Sequence, residues 1–456
     1  MSNCSTPSFR RRRVLPRSLC NLRLRRRLGL AGGQRRRDDD AVRLFDGMPP
    51  SKKDKSAPPA SGADLIGALP DSILHHMLSF LPAQAAVQTC VLARRWRHLW
   101  RSTTGLRIVC LGEDEHFQFE HLRKFVDNLL NLRERTDLDT VEIKLGEFLE
   151  SSFDTQPCVN QWIRFAVMCN VRVLNIDIFS GDIFLDNLPL ASQHLRTLHL
   201  DGVSLQDTFL DFANCPALDD LKMSSCDVEG GRISSRSLKH LSLSHCHSSL
   251  DCRVHVSTPG LISLELVCFI GRTPFLENMA LLQTAYVDLT SEGNDVCLSY
   301  DSGVFCGANN NACENCVAKN DGSSDCVLLG GISSARHLEL RSDSRKFIFT
   351  RDLKHCPTFS KLKTLLLNEY WCNAPDLDPL ACILKHSPVL EMLTLLLFSR
   401  GRNHQVKIKG SYSSLEGPFA ISEHLNMVEI KCNVIDERIL NVLKFLTAFN
   451  IRFGFE

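Results

Sequence analysis

Leu195-Arg196-Thr197-Leu198-His199-Leu200, Leu218-Asp219-Asp220-Leu221-Lys222-Met223 and Leu238-Lys239-His240-Leu241-Ser242-Leu243 set the reading of this chain. Each is an L-x-x-L-x-L hexamer, with methionine once replacing the last leucine. The closing x-L-x-L alternates with period two, so in extended backbone the leucines enter one face and the polar residues meet water. The hexamer recurs outward in both directions, with apolar replacements. Before the quoted stretch it stands at Leu138/Val141/Ile143 and Val171/Leu174/Ile176, and after it at Leu261/Leu264/Leu266. Less regular copies follow at Leu282/Ala285/Val287, Ala335/Leu338/Leu340, Leu362/Leu365/Leu367, Leu390/Leu393/Leu395 and Leu425/Val428/Ile430.

From Val171 to Leu282 the starts lie 24, 23, 20, 23 and 21 residues apart, within the roughly 20 to 29 of a leucine-rich repeat. One repeat cannot cover its own apolar face, so neighbours must stack into a solenoid. The predicted fold is α/β, with a curved parallel β-sheet over 105–420. Strands spaced about 4.8 Å apart would give a surface on the order of 50 Å long. Such a surface suits extended recognition. Cys226 and Cys246 fall three residues after the last apolar position, where the repeat consensus has Asn or Cys turned inward onto loop backbone.

Ahead of the repeats, 64–104 reads as a small three-helix domain. Ile73, Leu74, Met77, Leu78 and Leu81 are spaced for one helical face, with Asp71 as the predicted N-cap and Pro82 as the stop. A short helix over about 83–89 follows. A third is expected to carry Trp96, Leu99 and Trp100 on one face, with Arg94, Arg95, Arg97 and Arg101 elsewhere. Three helices this short cannot bury so much apolar surface among themselves, so part of it must meet a partner or the next domain.

Residues 1–63 read as a disordered basic extension and linker. Residues 1–37 hold twelve arginines and no acid, a local charge of +12, so the net +1 leaves 1 − 12 = −11 on the rest. The runs Arg10-Arg11-Arg12-Arg13, Arg25-Arg26-Arg27 and Arg35-Arg36-Arg37 fit a nuclear or organellar address, a nucleic-acid patch or a plain solvated tail. Met48 could equally be the start of translation. The sequence contains no run long and apolar enough for a membrane span and no signal-peptide core. Twenty cysteines in a 456-residue chain without a secretion signal read as reduced thiols.

Leu69-Pro70-Asp71-Ser72-Ile73-Leu74 through Leu78-Ser79-Phe80-Leu81-Pro82, then Val91-Leu92-Ala93-Arg94-Arg95-Trp96-Arg97-His98-Leu99-Trp100, resembles an F-box. Ala93 stands where the family more often has serine. Val159-x-x-Trp162-Ile163-x-x-Ala166, just before a repeat strand, resembles the link of plant F-box/leucine-rich-repeat proteins. The segment from Leu425-Asn426-Met427-Val428-Glu429-Ile430-Lys431 to Phe445-Leu446 resembles the FBD-type end of that group, assigned to 421–456, without its acidic cluster. The resemblance covers roughly residues 64–450. It implies a non-catalytic subunit of a Skp–cullin–F-box ubiquitin ligase. The F-box would hold a Skp-type adaptor, and through it a cullin-RING ligase, while the repeats present a protein substrate. Leu69, Pro70, Ile73, Leu74, Leu78, Leu81, Val91, Trp96, Leu99 and Trp100 are then expected to build the F-box and its adaptor surface, about half serving each purpose. Residence in the nucleus or cytoplasm follows.

No Walker, Rossmann, kinase or G-x-S-x-G signature is present, and no cofactor is expected. Cys215-Pro216 and Cys356-Pro357 read as packing cysteines. Residues 290–331 break the repeat spacing and read as a disordered insert. Within it Cys306, Cys313, Cys316 and Cys326 are a minor candidate for zinc, because C-x-x-C occurs once and its usual second pair is missing. The alternatives to a substrate receptor are a nucleic-acid-associated protein acting through the arginine tail, and a ligand sensor using the concave repeat face.

Overall fold

The computed structural model describes residues 66, 68–110, 119–146, 152–179, 183–185, 189–229, 231–248, 253–290, 295, 326–343, 346–372, 377–398, 406–412, 422, 424–449 and 451–455. The arginine runs and Met48 lie outside them, as do Cys306, Cys313 and Cys316. Ala68–Glu456 is one compact unit.

Each hexamer ends in a strand. The first seven strands are β1 (Gly105–Cys110), β2 (Thr140–Leu145), β3 (Val173–Ile178), β4 (Thr197–Asp201), β5 (Asp220–Ser224), β6 (His240–Ser244) and β7 (Ser263–Val267). The rest are β8 (Thr284–Leu289), β9 (His337–Ser342), β10 (Thr364–Asn368), β11 (Met392–Leu397), β12 (Val406–Tyr412), β13 (Met427–Cys432) and β14 (Ile451–Phe455). They form one 14-stranded sheet, β1 to β11 in chain order and then β13, β12 and β14. All pairs to β13 are parallel, and the last two are antiparallel.

The ladder holds one register throughout. Leu106, Val141, Leu174, Leu198, Leu221, Leu241, Leu264, Ala285, Leu338, Leu365, Leu393 and Val428 stand level across successive strands. All are buried. A slip of one residue would turn the whole apolar row to water, so burial on one face enforces the register, even across the irregular 290–331 segment.

β1 extends the solenoid one strand before the first hexamer read from sequence. Thr103 occupies the position of the leading leucine. It is buried, its hydroxyl within reach of the Trp100 and Gly105 carbonyls at 3.2 and 3.1 Å. A polar residue at that position hid the repeat.

Past each central strand the chain turns through a left-handed residue, at Gly202, Ser225, His245 and Cys268, with φ between 51° and 70°. Each amide here donates to the next repeat, as from Ser225 to Ser244 and from His245 to Val267, both at 2.9 Å. Cys226 and Cys246 come next and are fully buried. Their thiols approach the carbonyls of Leu200 and Met223 at 3.4 Å, the inward backbone contact anticipated for this position.

The opposite side differs between middle and ends. The central repeats, 20 to 24 residues long, are too short for a helix and return in extended pieces. Ile183–Phe184, Val203–Leu205, Asp227–Val228 and His247–Ser248 form one parallel sheet, and Arg232–Ser234, His255–Ser257 and Phe275–Leu276 another. Longer repeats carry helices. After α1 (Asp71–Ser79) and α2 (Ala83–Gln88) come α3 (Phe119–Leu132) and α4 (Ser152–Met168) near the start. α5 (Ile348–Leu353), α6 (Asp378–Lys385) and α7 (Glu437–Thr447) lie toward the end. The link residues Val159, Trp162, Ile163 and Ala166 are buried on α4. Asp436 caps α7, accepting the Ile439 amide at 3.1 Å. Among the described residues no helix is long and apolar enough to cross a membrane.

The segment expected as a disordered insert is tied down at both described borders. Asp295 is buried, takes the Arg253 guanidinium at 2.7 and 2.9 Å, and accepts the Thr273 amide at 2.7 Å. Val327, Leu328 and Leu329 have no exposed surface, and all three amides end on the buried Asp352 carboxylate at 2.9, 2.7 and 2.8 Å. Three consecutive donors with one acceptor group is a local solution to burying backbone that belongs to no strand.

Candidate functional site

The head of the chain starts with α1. Pro70 precedes it in extended backbone, a position where the missing N–H costs nothing. Asp71 is the first helical residue rather than the N-cap. Its carboxylate takes Arg95 Nε at 2.8 Å, and Arg95 also donates to the Leu69 carbonyl at 2.6 Å. The expected cap is thus replaced by a strut across the head, exposed enough to contribute at most about 1 kcal/mol. The expected third helix is two short 3₁₀ turns, Arg94–Arg97 and Leu99–Ser102, with His98 between them breaking the helical backbone.

The five-residue apolar set of α1 divides. Leu74 and Leu78 are buried, while Ile73 and Met77 on the helix and Leu81 beyond it are exposed. Trp96, Leu99 and Trp100 point inward with Ala83 and Ala86, and the Trp100 indole donates to the Arg97 carbonyl at 3.1 Å. Leu69 is half-buried and Pro70 exposed. Val91 is 82% exposed, and its neighbour Leu92 67%. Of the ten residues singled out, five are therefore core and Leu69 packs at its edge. Pro70, Ile73, Leu81 and Val91 face water, joined by Met77, Phe80 and Leu92. Met77, Phe80 and Leu92 are exposed in the same way but are not among the ten candidates. Being apolar, they carry no mark that separates outside from inside.

The head is fixed to the solenoid. Gly105 opens β1 where a Cβ would lie 2.6 Å from the Ser79 carbonyl oxygen, so only glycine lets α1 approach that closely. Arg107 donates to the Phe80 carbonyl at 2.8 Å and to Glu142 at 2.6 Å. Arg133, just past α3, is buried and donates to the Trp100 carbonyl at 3.1 Å, to Thr103 Oγ1 at 2.9 Å and to the Thr103 carbonyl. Burial pushes its guanidinium down to about 10, so it stays charged at neutral pH. These contacts set the direction of the exposed apolar row relative to the sheet.

On the concave face the second polar position of each strand points outward. Between β7 and β11 a groove of about 530 Å³ is lined by residues including Glu265, Tyr286, His337, Glu339, Thr364 and Thr394. Tyr286 donates to Asp288 at 3.1 Å. Burial and the adjacent Asp288 charge push its phenol up to about 12. The Arg341 guanidinium lies 5.5 Å from the centre of the Tyr286 ring and pairs with Glu339. The groove is thus aromatic and acidic, with an arginine held against its wall. Of the four cysteines weighed for zinc, Cys326 alone is described. It accepts the Gly330 amide at 2.9 Å, and burial, aided by Asp352, pushes its thiol up to about 12.

No protein-family model matches the chain. Curated plant proteins do. A rice protein named meiotic F-box protein MOF is 29% identical over 361 residues, 73% of this chain and 71% of its own. An Arabidopsis thaliana F-box/FBD/LRR-repeat protein is 27% identical over 410 residues, 81% of this chain and 84% of its own. A second Arabidopsis protein of that description is 29% identical over 259 residues, 50% of this chain and 60% of its own.

Proposed function

We propose, from this kinship with plant F-box/FBD/leucine-rich-repeat proteins, that the chain is a substrate receptor of a Skp–cullin–F-box ubiquitin ligase. The observation that carries the reading is the apolar row Ile73, Met77, Phe80, Leu81, Val91 and Leu92, left in water on a head whose other face is core. Six exposed large apolar side chains between positions 73 and 92 are more than single scattered surface hydrophobics, and a surface of that kind is what a partner protein covers. A Skp-type adaptor is the partner the F-box resemblance implies. The cullin-RING ligase would join through that adaptor. The role is non-catalytic: the chain positions a target, and the ligase transfers ubiquitin. It would work in the nucleus or cytoplasm.

The target would lie along the concave face, with the Glu265–Tyr286–Glu339 groove offering a stacking surface and carboxylates to a basic or aromatic segment. The groove also keeps the ligand-sensing alternative in view, and soaking for small-molecule density there would favour it. The decisive experiment is co-purification of the full chain with a Skp-type adaptor, comparing wild type with Val91→Asp/Leu92→Asp. Both side chains are exposed, so the fold should survive while the adaptor is lost. Undiminished capture by the folded double variant refutes the reading. Leu74→Ala with Trp96→Ala cannot serve, because both residues are core and the variant would report unfolding.

A further inference from the structure

Three side chains of metal-ligating type converge among residues that line neither the head nor the groove. Cys356 lies just past α5, while Cys382 and His386 are one turn apart at the end of α6. The i, i+4 spacing puts the last two on one helix face. The two thiol sulphurs and an imidazole nitrogen all lie within 4.8 Å of one another, although Cys356 is 382 − 356 = 26 residues from Cys382.

The two thiols have weak commitments elsewhere, while His386 Nδ1 donates an ordinary hydrogen bond that a metal bound at that nitrogen would have to displace. Outside the trio, Cys356 Sγ approaches the Pro357 carbonyl at 3.6 Å and Cys382 Sγ the Leu353 carbonyl at 3.8 Å, long contacts for a weak S–H donor. His386 Nδ1 is 2.8 Å from the Cys382 carbonyl and 3.9 Å from its sulphur. All three residues are half-buried, leaving an approach for an ion.

We infer that Cys356, Cys382 and His386 form a binding site for a thiophilic divalent metal, Zn²⁺. With Zn–S bonds of about 2.3 Å in a tetrahedron, two sulphurs sit about 3.8 Å apart, so the trio needs to contract by at most about 1 Å. Two thiolates cancel the charge of the ion, which makes the loaded site neutral and compatible with partial burial. Neutral imidazole completes a Cys₂His set, with water in the fourth position. Loading displaces the two thiol protons to solvent. Without metal, burial and the proximity of Cys382 hold the Cys356 thiol far above its usual range. The ion would pin α6 to the turn after α5.

The full chain, purified without chelator, is analysed for Zn²⁺ and titrated with Co²⁺, whose thiolate bonds give sulphur-to-cobalt charge-transfer absorption. One equivalent per chain is expected. It should be lost in Cys356→Ser/Cys382→Ser and kept in Cys313→Ser/Cys316→Ser, which tests the other cysteine pair. Should the first double variant not fold, His386→Ala keeps both thiols and is expected to weaken Zn²⁺ binding at least about tenfold. Failure of the wild type to take up either metal at micromolar concentration overturns the inference. So does uptake unaltered by both the double serine variant and His386→Ala.

Discussion

Asp352→Ala should be among the most damaging single substitutions on the convex side. The carboxylate is fully buried and accepts three consecutive amides, from Val327, Leu328 and Leu329. Alanine offers no acceptor, and the three side chains, themselves without exposed surface, leave no path for water. A buried donor stripped of its partner costs about 1 to 3 kcal/mol. Three such losses, softened by local relaxation, give about 3 to 6 kcal/mol. Asparagine keeps one acceptor oxygen and turns an NH₂ toward the remaining amides, so it should cost about 2 to 4 kcal/mol by the same count. Urea unfolding of the full chain reads the total, and hydrogen exchange read by mass spectrometry localises it to 327–329. If Asp352→Ala unfolds at the wild-type midpoint and those amides remain protected, the carboxylate is not what holds this segment.

Leu74→Ala should destabilise the fold by about 2 to 5 kcal/mol, the range for emptying a buried leucine site. Its neighbour Ile73→Ala should cost under about 1 kcal/mol yet weaken adaptor binding, and melting with adaptor titration tells the two apart. Gly202→Ala places a Cβ 1.9 Å from the Ile178 carbonyl oxygen at φ +70°, and should cost about 2 to 4 kcal/mol by urea unfolding. His245→Gly, at the equivalent turn, should be neutral or gain up to about 1 kcal/mol in the same assay. Asp436→Ala should remove about 1 kcal/mol through the lost cap. Burial pushes the Asp436 carboxyl up, but the Ile439 amide and the Arg438 guanidinium outweigh it and hold it below the usual range. That stability is therefore present above the ordinary carboxylate pKa and disappears as pH falls through the depressed folded value. Thermal melts of the wild type and Asp436→Ala should converge toward acid.

The ladder was legible because period-two burial writes itself into every strand: Leu241 and Leu243 must be apolar, His240 and Ser242 need not be. Where a polar residue does the work of a leucine, as Thr103 does, the pattern breaks and the first strand disappears from view. The extended returns leave no signature, since Asp227–Val228 is too short to display any period. In the head both faces are greasy, so Ile73 and Leu74 look alike until the solenoid is seen to cover one of them. The convex anchors Arg133, Asp295 and Asp352 were equally hidden, because a charged residue reads as surface unless its partners are known. Cys356, Cys382 and His386 carry no motif beyond a C-x-x-x-H spacing, and only the stacking of two repeats brings them together.

The uneven backing of the sheet has a geometric result. Strands repeat about every 4.8 Å, whereas a helix is about 10 Å across. Coils backed by strands can keep step on both sides and run straight, while coils backed by helices must splay. A bound target would therefore meet a level floor over β3 to β7, with the helix-backed coils tilting on either flank, one beside the head and the other carrying most of the groove.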